Sequence, residues 1–354
     1  ATIQLSFTGA RRSKAFGALG ATIGASIALG PVLGGLIIAC AGASDGWRWV
    51  FLVNLFIGIV ALPVAARELP RGRMRTRRQA DLVGLCLLSA GLLLLLIPLV
   101  EGEQAGWPAW CYACFCGSAA AFALLAGWEV RTERRGGDPL LTPSLLAQSS
   151  FCAGVIFAVA YFVGFSSVFF TISILWQEGL ARSALATGLV AVPFSFGSLA
   201  SAAVSDKLSA SLGRMVLVTG CAMVCAGLAL AALVIHLTAP LPGGWYLAGP
   251  LLLAGLGSGM VIAPNQDFVL ARVPVREAGT ASAILGTAQR AGSAIGIAVI
   301  GTVLFGTFRI RTGRSAAAAF CHSSQLALLA NAGLVVIALL LVLALPRQVP
   351  SREP

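Results

Sequence analysis

The sequence predicts an all-α fold: a polytopic membrane helix bundle of about ten transmembrane helices. Three observations carry that prediction. The 354-residue chain is 58% hydrophobic and only 10% charged, whereas soluble domains carry about 25% charged residues. Its mean hydropathy is +0.91. Its apolar residues fall into ten runs, each near the roughly 20 residues that a helix needs to cross the hydrocarbon core of a bilayer.

The runs cover 15–42, 49–66, 82–101, 108–129, 151–176, 184–205, 215–237, 246–269, 279–305 and 325–345. The loops between them give the direction. Of 24 lysines and arginines, 18 fall in alternate loops on one side: Arg11, Arg12 and Lys14; the six arginines from Arg67 to Arg78; Arg131, Arg134 and Arg135; then Lys207, Arg214, Arg272, Arg276, Arg347 and Arg352. The other side holds five, Arg48, Arg182, Arg309, Arg311 and Arg314, and Arg290 lies inside a span. Cytoplasmic loops collect basic residues, so both ends of this chain are expected in the cytoplasm, with the spans in the plasma membrane. The net charge of +11 is then a record of topology and implies no nucleic-acid partner. Trp47, Trp49, Trp107, Trp110, Trp176 and Trp245 sit near the non-cytoplasmic ends, where amphipathic rings anchor at the headgroups; Trp128 is the exception, at a cytoplasmic end.

Other classes of function find little support. Nine cysteines are scattered. The densest group, Cys111, Cys114 and Cys116, has neither His236 nor His322 near it in sequence, so no metal site and no cofactor are expected. A membrane-embedded enzyme would need paired intramembrane histidines, metal-ligand spacing, or a nucleophile beside a base. The chain shows none of these sets, and it is not expected to be an enzyme.

The first run poses a problem. "ALGPVLGGLI" carries Gly30, Pro31, Gly34 and Gly35, the residues that weaken a helix in water. In lipid, small residues let two helix backbones approach closely. Gly20, Gly24 and Ala28 repeat every four residues, and Gly30 and Gly34 form a second such pair. Pro31 removes one internal hydrogen bond. The run reads as a smooth helix able to shift against a neighbour; ordinary small-residue packing is the plainer alternative.

Gly17, eight residues, Ser26, three residues, Gly30-Pro31, two residues, Gly34-Gly35 resembles the antiporter motif in the fifth helix of major facilitator superfamily drug exporters, with Ser26 where the pattern has glycine. "GWRWVFLVNLFIGIVAL" resembles the start of that family's sixth helix. "SDKLSASLGRM" is similar to the second copy of its cytoplasmic loop motif through Asp206, Lys207, Gly213 and Arg214. "REAGTASAILGTAQRAGSAIGIA" resembles the penultimate helix of its fourteen-helix drug:proton antiporters. The resemblance implies a bundle of major facilitator type in which the chain supplies helices five to fourteen. Residues 1–66 are then the last two helices of the N-terminal half. Residues 67–150 are a basic loop and two extra linker helices, 151–345 the C-terminal six-helix half, and 346–354 a cytoplasmic tail. Helices one to four are expected from the full-length chain.

The implied function is efflux of hydrophobic or cationic small molecules, drugs or antibiotics, driven by proton exchange, with the substrate, protons and the bilayer as the only partners. A truncated fragment that does not transport is the alternative. The family's proton-coupling carboxylate commonly lies in the first helix, and no residue here replaces it. Asp206 and Arg214 could form a latch that opens and closes with alternating access, or a solvated loop that fixes topology. Arg290, inside a span, is a functional candidate because intramembrane charge is costly: it could pair with a carboxylate or attract an anionic substrate group, or it could snorkel toward the cytoplasmic headgroups, roughly 15 Å away at 1.5 Å per residue. Asp267, in a span that Pro264 is expected to bend and Gly255, Gly257 and Gly259 to loosen, could pair with Arg290 or carry a proton, or be an interfacial charge beside Arg272. Phe157, Tyr161, Phe165 and Phe169 recur every four residues and share a face. Tyr161, Phe165 and Phe169 could contact substrate, or the stripe could be a plain packing face. Gly30→Leu and Pro31→Leu are expected to abolish export.

Overall fold

The computed structural model describes residues 22, 26, 30–42, 45–68, 81–102, 105–137, 139–140, 145, 147–270, 273–274, 277–308 and 315–344, without the side chains of 68, 206, 207, 210 and 344. The described residues form helices and no strands. In chain order these are α1 (Gly30–Ala41), α2 (Gly46–Glu68), α3 (Leu82–Glu101), α4 (Ala109–Arg134), α5 (Ser149–Ile174), α6 (Ala184–Leu212), α7 (Met215–Thr238), α8 (Ala248–Leu270), α9 (Ala278–Thr307) and α10 (Ala316–Ala344). A π-turn, Leu175–Gly179, continues α5, and a 3-10 turn, Gly244–Leu247, leads into α8. Among the described residues nine helices are long and apolar enough to cross a membrane; α1 is a shorter apolar helix.

Two ends differ from the sequence reading. α6 runs on to Leu212, where a span ending at 205 was expected. Ala, Leu, Lys and Ser in "SDKLSASL" do not oppose a helix, and the chain stops where Gly213 takes a φ of 55°, a conformation that costs glycine little. Asp206 therefore lies within α6 and not at its C-terminus. α10 begins at Ala316, not 325. The Ser315 hydroxyl accepts from the Ala318 N–H at 3.3 Å, and four alanines with the highest helix propensity follow.

α5 to α10 form one bundle. α8 packs on α6 and α7, α9 on α5, and α10 on α7 and α5. Small residues set these crossings. A Cβ on Gly255 would run into the backbone of Phe194, and one on Gly259 into the carbonyl of Ser198, both on α6. One on Gly257 would meet the carbonyl of Gly220 on α7. The three glycines expected to loosen this span instead fasten it, on opposite faces, to two neighbours. α3 and α4 form a separate hairpin that packs on α9, and α2 is exposed along nearly its whole length.

Candidate functional site

Gly17 lies outside the described residues. The other motif residues differ in what they touch. Ser26 is exposed and its hydroxyl donates back to the Thr22 carbonyl at 2.8 Å. A Cβ on Gly30 or Gly34 would meet nothing within 4 Å. Gly35 is the point of contact: its Cβ would stand 2.6 Å from the Leu185 Cα and 2.8 Å from the Ala184 carbonyl, at the start of α6. One turn along, a Cβ on Gly188 would stand 2.5 Å from the Pro31 carbonyl and 3.0 Å from the Val32 nitrogen. α1 and α6 thus cross backbone to backbone, with one glycine from each. Gly188 was not singled out in the sequence, because no spacing within its own helix marks it; only the partner helix does.

α6 also carries the loop motif. The side chains of Asp206 and Lys207 lie outside what the structure describes. Gly213 makes the left-handed turn, and Arg214 follows, half-buried, at the cap of α7. The glycine crossing and the loop motif therefore occupy the two ends of one 29-residue helix, roughly 40 Å long at 1.5 Å per residue.

The aromatic stripe is a packing face in this conformation. Phe157 and Tyr161 are each 1% exposed and Phe165 6%. Tyr161 stacks on Phe165 with ring centroids 5.4 Å apart, and Phe165 and Phe169 close on Phe194 of α6 at 5.8 and 5.0 Å. Phe169, half-buried, is the one of the three that keeps exposed surface of its own. The Tyr161 hydroxyl faces Ser258 of α8, yet neither oxygen has a hydrogen-bond partner. A second polar pair lies between α5 and α10. Ser167 donates to the Asn331 side-chain oxygen at 2.5 Å, and the Asn331 amide nitrogen has no partner.

Arg290 is exposed on α9, and Asp267 is half-buried on α8. No ion pair joins them; Arg272 lies outside the described residues. Gln289, beside Arg290, has a buried amide nitrogen without a partner.

The structure also explains Trp128. Its indole N–H donates to both carboxylate oxygens of Asp81, at 3.0 and 3.1 Å, while Asp81 accepts from the Gly84 N–H at 2.8 Å and so caps α3. Glu129, 2% exposed, lies against the same Gly84. This tryptophan ties the hairpin together. Trp176 departs from the anchor pattern too. At 3% exposure it belongs to the bundle core, whereas Trp47, Trp49 and Trp245 are exposed as expected. Among the described residues no three His, Cys, Asp or Glu side chains are grouped to hold a metal.

Long apolar helices, crossings made by glycine against backbone, and one charged residue deep in a span define a polytopic helical membrane protein. The sequence profile of the Major Facilitator Superfamily matches residues 1–297, and the chain belongs to that family. It is similar to the "Probable actinorhodin transporter" of Streptomyces coelicolor, 36% identical over 86% of this chain and 53% of that protein. It also resembles the "Puromycin resistance protein pur8" of Streptomyces alboniger, 31% identical over 83% of this chain and 57% of that protein. The "Multidrug resistance protein Stp" of Mycobacterium tuberculosis is 28% identical over 83% and 52%. The chain spans about half the length of these relatives.

Proposed function

We propose that the chain is the larger part of an exporter of hydrophobic small molecules, of antibiotic or drug type, driven by exchange with protons across the plasma membrane. It works without catalytic chemistry of its own. The observation that carries this reading is the crossing of α1 and α6 at Gly35 and Gly188. It joins the antiporter-type helix to the bundle α5–α10 through backbone contact with no side chain in between. Such a joint can shift by small steps while staying sealed. In this reading residues 1–66 belong to one half of the transporter, 67–150 to a connecting loop and hairpin, 151–345 to the other half, and 346–354 to a tail. Asp206 and Arg214 then act as the latch at the cytoplasmic end of α6, and both ends of the chain lie in the cytoplasm. Phe169 offers the accessible ring for a hydrophobic substrate, and Asp267 serves as an interfacial charge.

The test is dye efflux from inverted vesicles. Wild-type protein is expected to move a hydrophobic dye only while a proton gradient stands, and to stop when a protonophore is added. Gradient-independent movement, or none, would remove the reading.

One observation favours a second reading. α2 is apolar yet exposed along nearly its whole length, which fits a helix whose neighbours, helices one to four of the family's plan, come from the rest of a longer protein. A chain without them would leave the cavity open and not transport. The mass of the native membrane species separates the two: about 10–15 kDa above 36.2 kDa corresponds to roughly four added spans with loops.

A further inference from the structure

α9 has two unlike faces. One is closed: a Cβ on Gly292 would stand 2.7 Å from the Val159 carbonyl, and one on Gly296 would run into Val163, both on α5. The other is open. A Cβ on Gly279 or Gly286 would meet nothing within 4 Å, and Ala283, Arg290 and Ile297 are exposed. Positions 279, 283, 286, 290 and 297 follow the helical spacing of three, four and seven and so line one face. Arg290 is the one charge on it.

Its depth makes that charge informative. Arg290 lies 12 residues into α9, about 18 Å from Ala278, and about 26 Å from Thr307, at 1.5 Å per residue. From that position the guanidinium would reach a headgroup layer only by stretching its side chain along the helix. A guanidinium is always charged, carries five donors and has no acceptor. In hydrocarbon it demands an anion or water. None of the described carboxylates pairs with it, including Asp267 and Glu277, which precede it in sequence. The neighbouring Gln289 amide nitrogen is likewise buried without an acceptor. Among the described residues Arg290 is thus an unpaired donor group on the open face, while the Gln289 nitrogen is buried away from it, and Ala283 and Gly286 before Arg290 leave room for a flat group to lie on the helix.

We propose that the open face of α9 is an anion-recognition site, in which Arg290 binds the acidic group of an amphipathic substrate, a carboxylate, phenolate or sulfonate, while its apolar body lies along the small-residue stripe. Bidentate pairing of a planar guanidinium with a carboxylate supplies the selectivity. The inference rests on the exporter reading above and narrows its substrates to hydrophobic acids.

Two xanthene dyes of opposite charge test it: anionic fluorescein and cationic rhodamine 6G, followed in inverted vesicles carrying the protein as its gene encodes it. Wild-type protein should export fluorescein. Arg290→Ala should lower that rate ~10-fold or more, as expected when one partner of a low-dielectric ion pair is removed. Arg290→Lys should retain part of it, and rhodamine 6G export should not fall in either variant. Membrane levels of each variant, read by immunoblot, normalise the rates. Equal loss of both dyes in Arg290→Ala would give Arg290 a structural or coupling role and overturn the proposal. Unchanged fluorescein export would assign Arg290 to snorkelling and do the same. Rhodamine 6G export by wild-type protein without fluorescein export would leave the exporter reading standing and sink the anion site. No export of either dye would remove both.

Discussion

The carbonyl oxygen of Pro31 lies 2.5 Å from the point a Cβ on Gly188 would occupy. A backbone oxygen cannot swing aside as a side chain can, so this contact exists only because residue 188 has no side chain. Gly188→Ala should push α1 from α6 and cost about 1–3 kcal/mol, the usual penalty of overpacking. Gly35→Ala should behave alike, since its neighbours are also backbone atoms. Gly30→Ala and Gly34→Ala, which meet nothing within 4 Å, should leave this crossing intact. Thermal unfolding in detergent, with dye efflux on the same variants, checks the contrast. The sequence drew attention to Gly30 and Pro31; the close backbone contacts of this crossing are made at Gly35 and Gly188.

Asp81 and Trp128 give a second prediction. Trp128→Phe keeps the ring but removes a donor to a carboxylate, and hydrogen bonds to charged groups contribute about 1.5–3 kcal/mol. Asp81→Ala removes the same bond and the cap on α3, worth about 1 kcal/mol more. Both variants should loosen the α3–α4 hairpin, with Asp81→Ala the more severe. Hydrogen exchange at residues 82–101 and 109–134 reports this, and equal protection in wild type and both variants would show that the hairpin does not depend on the pair.

How much of this was legible beforehand follows from the range of each signal. Span positions and the family came from local hydropathy and motif spacing, and nine of the ten expected runs correspond to long helices among the described residues. The tenth, at 15–42, is described mainly as Gly30–Ala41. Partners across the fold were not legible. Trp128 looked out of place because its acceptor is 47 residues away. Gly255, Gly257 and Gly259 looked like a flexible stretch, since a sequence shows small residues but not the backbones that press on them. The aromatic stripe was legible as one face, but whether that face met substrate or Phe194 was not.

Tyr161 is a third test. Its hydroxyl is buried against Ser258 without a well-formed hydrogen bond, so removing it costs at most a weak contact and relieves a poorly satisfied polar group. Tyr161→Phe should leave stability unchanged or raise it by about 1–2 kcal/mol. Tyr161→Ala, which deletes a ring stacked 5.4 Å from Phe165, should cost about 3–5 kcal/mol. A marked loss of stability in Tyr161→Phe would mean that the hydroxyl is bonded in the protein.

α9 carries glycines of both kinds on one helix and so offers an internal control. Gly296 presses on the Val163 backbone, while Gly286, ten residues earlier, faces open space. Gly296→Ala should separate α9 from α5 and lower the unfolding temperature of the bundle. Gly286→Ala should not, and the replacement of glycine in a helix interior can even stabilise it by about 0.5–1 kcal/mol. The two variants then part in a second way. Gly286 lies one turn from Arg290 on the exposed face, so a larger residue there, Gly286→Leu, should obstruct a ligand held by Arg290 without disturbing the packing on α5. Normal stability with reduced efflux for Gly286→Leu, against reduced stability for Gly296→Ala, is the expected pattern. If Gly286→Leu lowers the unfolding temperature as much as Gly296→Ala, the face is a packed helix contact and not open to a ligand.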